Sequence, residues 1–326
     1  MKHWLHWILV IEKAIAKAVA FLLRNESHKL YILADMIITF IVHGQKIREQ
    51  KFRDMIASYC LNNKDEFSSY FTAYSGHATE LTQTLGSQTD ILVVVGGDGL
   101  LHECINGVMT LSERPVVVLW PFGSGNDFAR NFGWRNEVAD VFRRIFLSGH
   151  KLVDVGEIKS EGNHAAYFIN EMSIGLGPAV VNRVLRYPES WNGNIKFGLG
   201  VISTFLNFRK PKIKMHFNNQ EYESNTMAVV VANGKYFGSG IGISPEADVS
   251  DGRLNLTIIG DVSIADYIVN LRKLRSCIRL AHAEVKYDVL ESLKIFTVTA
   301  VEADGQLIDS NGIIEIQIHH RAIRMR

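Results

Sequence analysis

The chain has 326 residues, 35 basic and 34 acidic side chains and a formal net charge of +1, and 47% of its residues are hydrophobic. That length accommodates two domains, while a charge so close to zero gives no electrostatic reason to expect a nucleic-acid partner. Three cysteines, Cys60, Cys104 and Cys277, stand far apart without metal-like spacing, which fits buried thiols in a reducing, cytoplasmic compartment.

Residues 1–36 form an N-terminal extension of their own. No signal-peptide cleavage pattern occurs in them, and no uninterrupted apolar stretch reaches the length of a bilayer crossing. At roughly 100° per residue, Lys2, His6, Lys13, Lys17 and Arg24 fall on one narrow stripe. Trp4, Trp7, Ile8, Ile11 and Ile15 lie opposite. An amphipathic helix over residues 2–24 suits peripheral contact with the inner face of an anionic membrane. It suits equally a helix packed on its own domain with its lysines in water, and the sequence leaves both open.

Residues 37–150 alternate short apolar runs with helical patterns: strands at 37–42, 70–73, 91–95 and 116–120, helices at 47–61, 77–85 and 141–147. This alternation predicts an α/β domain with a largely parallel sheet. Two of its strands run straight into glycine loops, Gly96-Gly97-Asp98-Gly99 and Gly123-Ser124-Gly125-Asn126-Asp127. Turns of this kind let backbone N–H groups approach a phosphate with no Cβ in the way. Asp98 cannot itself bind a phosphate, but it is placed to hold a magnesium ion that phosphates share. Both loops belong at one sheet edge, one βαβ unit apart.

From residue 151 onward the pattern turns to β-branched stretches at 165–172, 212–217, 226–231, 254–259, 293–300 and 313–318. Helical patterns are inserted near 197–208 and 264–280. Residues 151–315 therefore read as a β-rich second domain, and the short crossing near 147–154 predicts a well-defined cleft. His102 reads as a helix-surface residue, and the Arg272, Lys273, Arg275 and Arg279 group as a solvated face, with anionic lipid headgroups as the alternative it could meet.

Taken together, Gly96-Gly97-Asp98-Gly99-Leu100-Leu101-His102-Glu103, the following Asn106-Gly107 and Gly123-Ser124-Gly125-Asn126-Asp127-Phe128-Ala129-Arg130 resemble the diacylglycerol kinase-type catalytic domain. That domain is shared by bacterial lipid kinases, diacylglycerol kinases and sphingosine kinases. Further landmarks follow in family order: Thr72 with Gly76-His77-Ala78, Phe168-Ile169-Asn170, Val231-Ala232-Asn233-Gly234, Asp251-Gly252-Arg253 and Val301-Glu302-Ala303-Asp304-Gly305. The resemblance covers about residues 37–326.

It implies a two-domain lipid kinase architecture related to the NAD kinase-like fold, with the active site in the interdomain cleft. It also implies that a last strand, at about 316–326, returns to the first domain. The cofactors implied are ATP and Mg²⁺, and the implied substrate is a membrane lipid, with diacylglycerol or a similar long-chain lipid leading. Thr72, Gly96, Gly97, Asp98, Gly99, Leu100, Glu103, Ser124 and Asn126 are implied nucleotide contacts. Asp98 is the implied organiser of catalytic magnesium, and Asp304 the implied base. Asp251, with backbone carbonyls of Asp248 and Arg253, is the implied structural magnesium site. A homodimer is compatible with the family.

Three positions depart from the family pattern. Val42-His43-Gly44 replaces an Asn-Pro turn, Leu100 stands where threonine is usual, and Gln306 follows the Asp-Gly pair in place of glutamate. Two other functions therefore stay in view: an NAD kinase-like small-molecule kinase, and a nucleotide- or lipid-binding regulator without turnover.

Overall fold

The computed structural model describes residues 36–326 except 61–65, 148, 162–165, 189–190, 192, 297–299 and 309–311. The helix expected over residues 2–24 lies outside the described residues. Strands β1 (Ile37–Val42), β2 (Glu66–Phe71), β3 (Ile91–Gly96) and β4 (Val116–Pro121) run parallel in the order β2-β1-β3-β4. Helices α1 (Glu49–Cys60), α2 (His77–Leu85) and α3 (Asp98–Met109) connect them, followed by the single turn α4 (Asp127–Arg130) and helix α5 (Val138–Phe146).

Nearly every residue of β1, β3 and β4 is buried, because helices cover both faces of the sheet. Leu92 and Val94 meet Leu101 and Ile105 of α3 on one face. Val93 and Val95 meet Phe52 and Trp120 on the other. β2 begins at Glu66 rather than near Tyr70; it is the edge strand, so an unbroken apolar run is not required of it.

The second half contributes β5 (Lys151–Ser160), β6 (Ala166–Phe168), β7 (Glu171–Gly175), α6 (Leu176–Val184), α7 (Gly193–Phe205), β8 (Lys212–Phe217) and β9 (Gln220–Asn225). After these come β10 (Ala228–Ala232), β11 (Tyr236–Phe237), β12 (Ile241–Gly242), β13 (Leu254–Ile259), α8 (Ile264–Arg275), β14 (Val285–Leu290), β15 (Leu293–Ile295), β16 (Val301–Ala303), β17 (Gln306–Ile308) and β18 (Ile314–Met325). Among the described residues a second sheet runs β14-β13-β10-β7-β16-β17, antiparallel throughout. Its Met172, Ile174, Val229 and Leu256 pack on Ile213 and Ile316 from the first sheet.

Two features shape the cleft. The strand expected at 165–172 is in fact two: β6 pairs with β5 in the first sheet and β7 with β10 in the second, so the chain changes sheet at Ile169 and Asn170. β18 is twice as long as the pattern at 313–318 suggests. Its first half pairs with β15 and β5, and after a bulge between His319 and Ile323 its last residues lie parallel to β4, with Met325 opposite Val117.

Candidate active site

The two glycine loops cross in contact. A Cβ on Gly97 would stand 2.9 Å from the Gly123 Cα, and one on Gly123 would collide with the Gly97 Cα. Only glycine fits at either position, because both obstacles are backbone. Asn126, at φ +51°, braces the second loop: its Oδ1 accepts from the Gly123 N–H at 2.8 Å and its Nδ2 donates to the Gly123 carbonyl at 2.9 Å. Asp98 opens α3 and ties the loops together. Its two oxygens accept the Asp127 and Phe128 N–H groups, each at 3.1 Å, so the carboxylate caps the first turn of α4.

Thr72, Gly97, Asp98, Gly99, Leu100, Glu103 and Ser124 all border one polar recess of about 420 Å³, along with Gln306. Gly96 ends β3 immediately behind it, and the Asn126 side chain turns away to its own loop. Glu103 reaches back to accept the Ala78 N–H at 3.1 Å, and Thr72 Oγ1 accepts from Gly44 at 3.3 Å. The altered first turn thus keeps contact with Thr72 although its asparagine and proline are missing.

Asp304 and Gly305 join β16 to β17 as a two-residue turn, with φ values of +50° and +82°. Sequence alone could not tell an ordinary Asp-Gly hairpin from a buried, multiply bonded aspartate, and the residue is both. Oδ1 accepts the N–H groups of Asn170 (2.9 Å) and Glu171 (3.1 Å), while Oδ2 accepts that of Ile169 (3.0 Å). These three N–H groups are free for Asp304 because the strand breaks where the chain changes sheet. His102 Nδ1 lies 3.0 Å from Oδ2, where a carboxylate that can only accept calls for a proton on Nδ1, while the Asn106 amide beside the ring donates to the His102 and Tyr167 carbonyls at 2.9 Å each. His102 is therefore buried against Asp304, not on the helix surface.

A second chamber, of about 350 Å³, opens from the same point. Val180, Phe197, Val201, Phe205, Ile243 and Leu274 give it apolar walls, and Asp98, Asp127, Glu171, Glu302 and Asp304 gather at its head. Asp98 and Asp304 border both chambers. Burial raises the Asp98 carboxyl against the pull of the Phe128 and Asp127 N–H groups. Asp127, which accepts Ser239 and Gly240 N–H groups at 2.7 Å each, is pushed up to about 6 by burial and by the charge of Asp98. Burial and then the Glu302 charge carry Glu171 well above the ordinary glutamate range.

Asp248, Asp251 and Arg253 stand apart, on the turn before β13. Asp248 Oδ1 accepts from Ser250, and Asp251 Oδ1 accepts the Arg253 N–H at 2.9 Å. One Asp251 oxygen is thus engaged by the turn itself. No group of three acidic, histidine or cysteine side chains among the described residues gathers at metal-binding distance. The buried carboxylate that organises this turn is Asp154, which accepts Gly252 N–H at 2.6 Å and faces His320 at 2.9 Å. Asp154, Asp127, Glu171 and the depth of His102 escape a sequence reading, since each is defined by partners distant along the chain.

Residues 38–158 match the family described as the diacylglycerol kinase catalytic domain, and residues 171–323 match the YegS C-terminal NAD kinase beta sandwich-like domain. The chain thus carries a diacylglycerol kinase catalytic domain followed by a YegS-type C-terminal domain. It is 23% identical over 205 residues to a diacylglycerol kinase of Bacillus subtilis, covering 62% of this chain and 66% of that one. It is 24% identical to a diacylglycerol kinase of Staphylococcus haemolyticus, over 74% of this chain and 72% of that one. The crystal structure of a diacylglycerol kinase from Bacillus anthracis shares the fold, with a TM-score of 0.65 at 21% identity, covering 89% of this chain and 96% of that one. Both curated relatives are named diacylglycerol kinases. No helix among the described residues is long and apolar enough to cross a membrane.

Proposed function

We propose that the protein uses ATP and Mg²⁺ to phosphorylate a hydroxyl of a long-chain lipid, diacylglycerol being the acceptor for which its relatives are named. The observation that carries this reading is the meeting of a polar, glycine-walled recess and an apolar chamber at Asp98 and Asp304. A phosphate donor and a hydrocarbon acceptor need such opposite environments, joined where the phosphoryl group crosses. In this reading residues 37–150 with 316–326 form the nucleotide half and residues 151–315 the lipid half.

The first turn of α3 and residues 124–125 would direct N–H groups at the phosphates, with Thr72, Ser124 and Glu103 around the nucleotide. The head of the cleft holds several carboxylates that raise one another's proton affinity, an arrangement that a divalent cation relieves. Asp98 would hold magnesium together with water and phosphate oxygens, and the ion would offset charge on the transferring group.

Asp304 would receive the proton of the attacking hydroxyl. Three of its donors are fixed backbone N–H groups. His102 is the side-chain donor, and so the one that rotation can move aside to leave Oδ2 open. Asp251, with Asp248 and Arg253 carbonyls, is carried as a structural cation site away from this chemistry.

The test is transfer of labelled phosphate from ATP to diacylglycerol, monoacylglycerol, sphingosine and ceramide in mixed micelles, with NAD as a soluble control. We expect a labelled lipid in the wild type and a loss of about 10²–10⁴-fold in Asp304→Asn. Label on NAD alone, or a folded, ATP-binding protein that labels no lipid, would overturn the reading.

A further inference from the structure

Helix α7 is apolar on both faces. Phe197, Val201 and Phe205 wall the apolar chamber, and Gly200 lets the helix settle against Val184 of α6. On the opposite face Ile195, Leu199, Ile202 and, just past the helix end, Leu206 recur at helical spacing and all face solvent, Leu206 being 67% exposed. A water-soluble helix ordinarily wets the face it does not bury, so a helix apolar on two opposite faces has a second apolar environment to meet.

The pattern repeats on α8, which walls the same chamber through Tyr267 and Leu274. Ile268 and Val269 point outward, Val269 77% exposed. One turn further on come the exposed cations Arg272 and Lys273. Acids close by are already engaged: Asp266 with Ser263 and His282, Asp261 with Lys210, and Glu246 with Arg279. Between α6 and α7, Trp191 stacks on Tyr187 at 5.6 Å and is itself half-exposed, and Arg186, next to Tyr187 in the chain, is exposed. Exposed aliphatic side chains, a tryptophan and cations without an ion-pair partner among the described residues together match the interface of an anionic bilayer. A second copy of the chain fits less well, since a self-complementary contact would bring the cations near one another.

We propose that the outer faces of α7 and α8 form a membrane-docking surface that holds the apolar chamber against an anionic bilayer. The choice of a bilayer as occupant rests in part on the lipid-acceptor reading above; the apolar stripes and the cations do not. Docking there would let an acceptor pass from the bilayer into the chamber without exposing its chains to water.

The test is co-sedimentation of the full chain with acceptor-free vesicles of phosphatidylcholine, with and without phosphatidylglycerol, in the absence of ATP. The wild type should bind vesicles containing phosphatidylglycerol. Leu199→Gln with Ile202→Gln should lower partitioning about tenfold or more. Arg272→Glu with Lys273→Glu should weaken binding at least about fivefold, and only where phosphatidylglycerol is present. Phosphorylation of a short-chain acceptor below its micelle threshold should be unchanged in both variants, so failure of docking and failure of the kinase reading are told apart. Wild-type protein that ignores both vesicle types would overturn the proposal. So would variants that bind like the wild type, which would move membrane contact to residues 2–24. A wild-type dimer dispersed by the apolar variant, without vesicle binding, would give the face to a second copy instead.

Discussion

Glu171→Gln replaces one of two buried carboxyls that face each other at the head of the apolar chamber. Glu302 is well served, accepting from Ser173 Oγ at 2.6 Å and from the Gly305 N–H at 3.0 Å. Glu171 is not: among the described residues its Oε2 is buried without a partner of its own. The two carboxyls attract only while one proton stays between them. Burial, then Glu302, raises the Glu171 carboxyl well above the ordinary glutamate range. A group that holds its proton more tightly when folded gives its full stability below the ordinary glutamate range. That contribution is lost as pH rises through the folded value, because the unfolded chain releases its proton first.

Glutamine can donate its amide to Glu302 at every pH and carries no charge. Removing a buried, uncompensated charge is worth about 2–4 kcal/mol at about pH 8 and close to nothing at about pH 4. At about 2 °C per kcal/mol in a chain of this size, Glu171→Gln should melt roughly 4–8 °C above the wild type at the higher pH. The two proteins should converge at the lower pH. Thermal melts across the range check this. A variant that melts at or below the wild type near pH 8, or that keeps the wild-type pH slope, refutes the shared-proton account.

Gly123→Ala forces a Cβ into the Gly97 backbone, which cannot rotate away, so the loops must part. Nucleotide affinity should fall about tenfold or more while the far-ultraviolet spectrum is kept, and a fluorescent-nucleotide titration reads it directly. Asp98→Asn leaves one amide oxygen where two carboxylate oxygens now accept the Asp127 and Phe128 N–H groups. It should cost about 1–3 kcal/mol in denaturant titration and raise the magnesium concentration needed for half-maximal turnover, and an unchanged magnesium curve would remove Asp98 from the cation site.

The parallel-sheet half is legible in the sequence because its signals are local. Apolar runs such as residues 91–95 and 116–120 can only be buried strands, and the glycines that follow them mark a backbone approach whichever way the rest folds. Asp304 is legible as a turn for the same reason. What it touches is not: His102 lies 202 positions away, and the N–H groups around it exist because β6 and β7 separate between two sheets. Within 165–172 only Asn170 and Glu171 interrupt the strand propensity, and two polar residues do not by themselves show that the chain changes sheet there. The apolar chamber was hidden likewise, since α7 shows no single wet face from which to read an orientation.

The long final strand also constrains when the molecule can be completed. Met325 pairs beside Val117, the Arg326 N–H donates to the Val117 carbonyl at 3.0 Å, and Arg114 reaches the Ala322 carbonyl at 2.9 Å. During synthesis the open edge of β4 must wait for some two hundred further residues before its neighbour exists. Such distant pairing slows folding and leaves a sticky strand edge exposed meanwhile. The parallel-sheet half is thus finished last, although its own strands are made first.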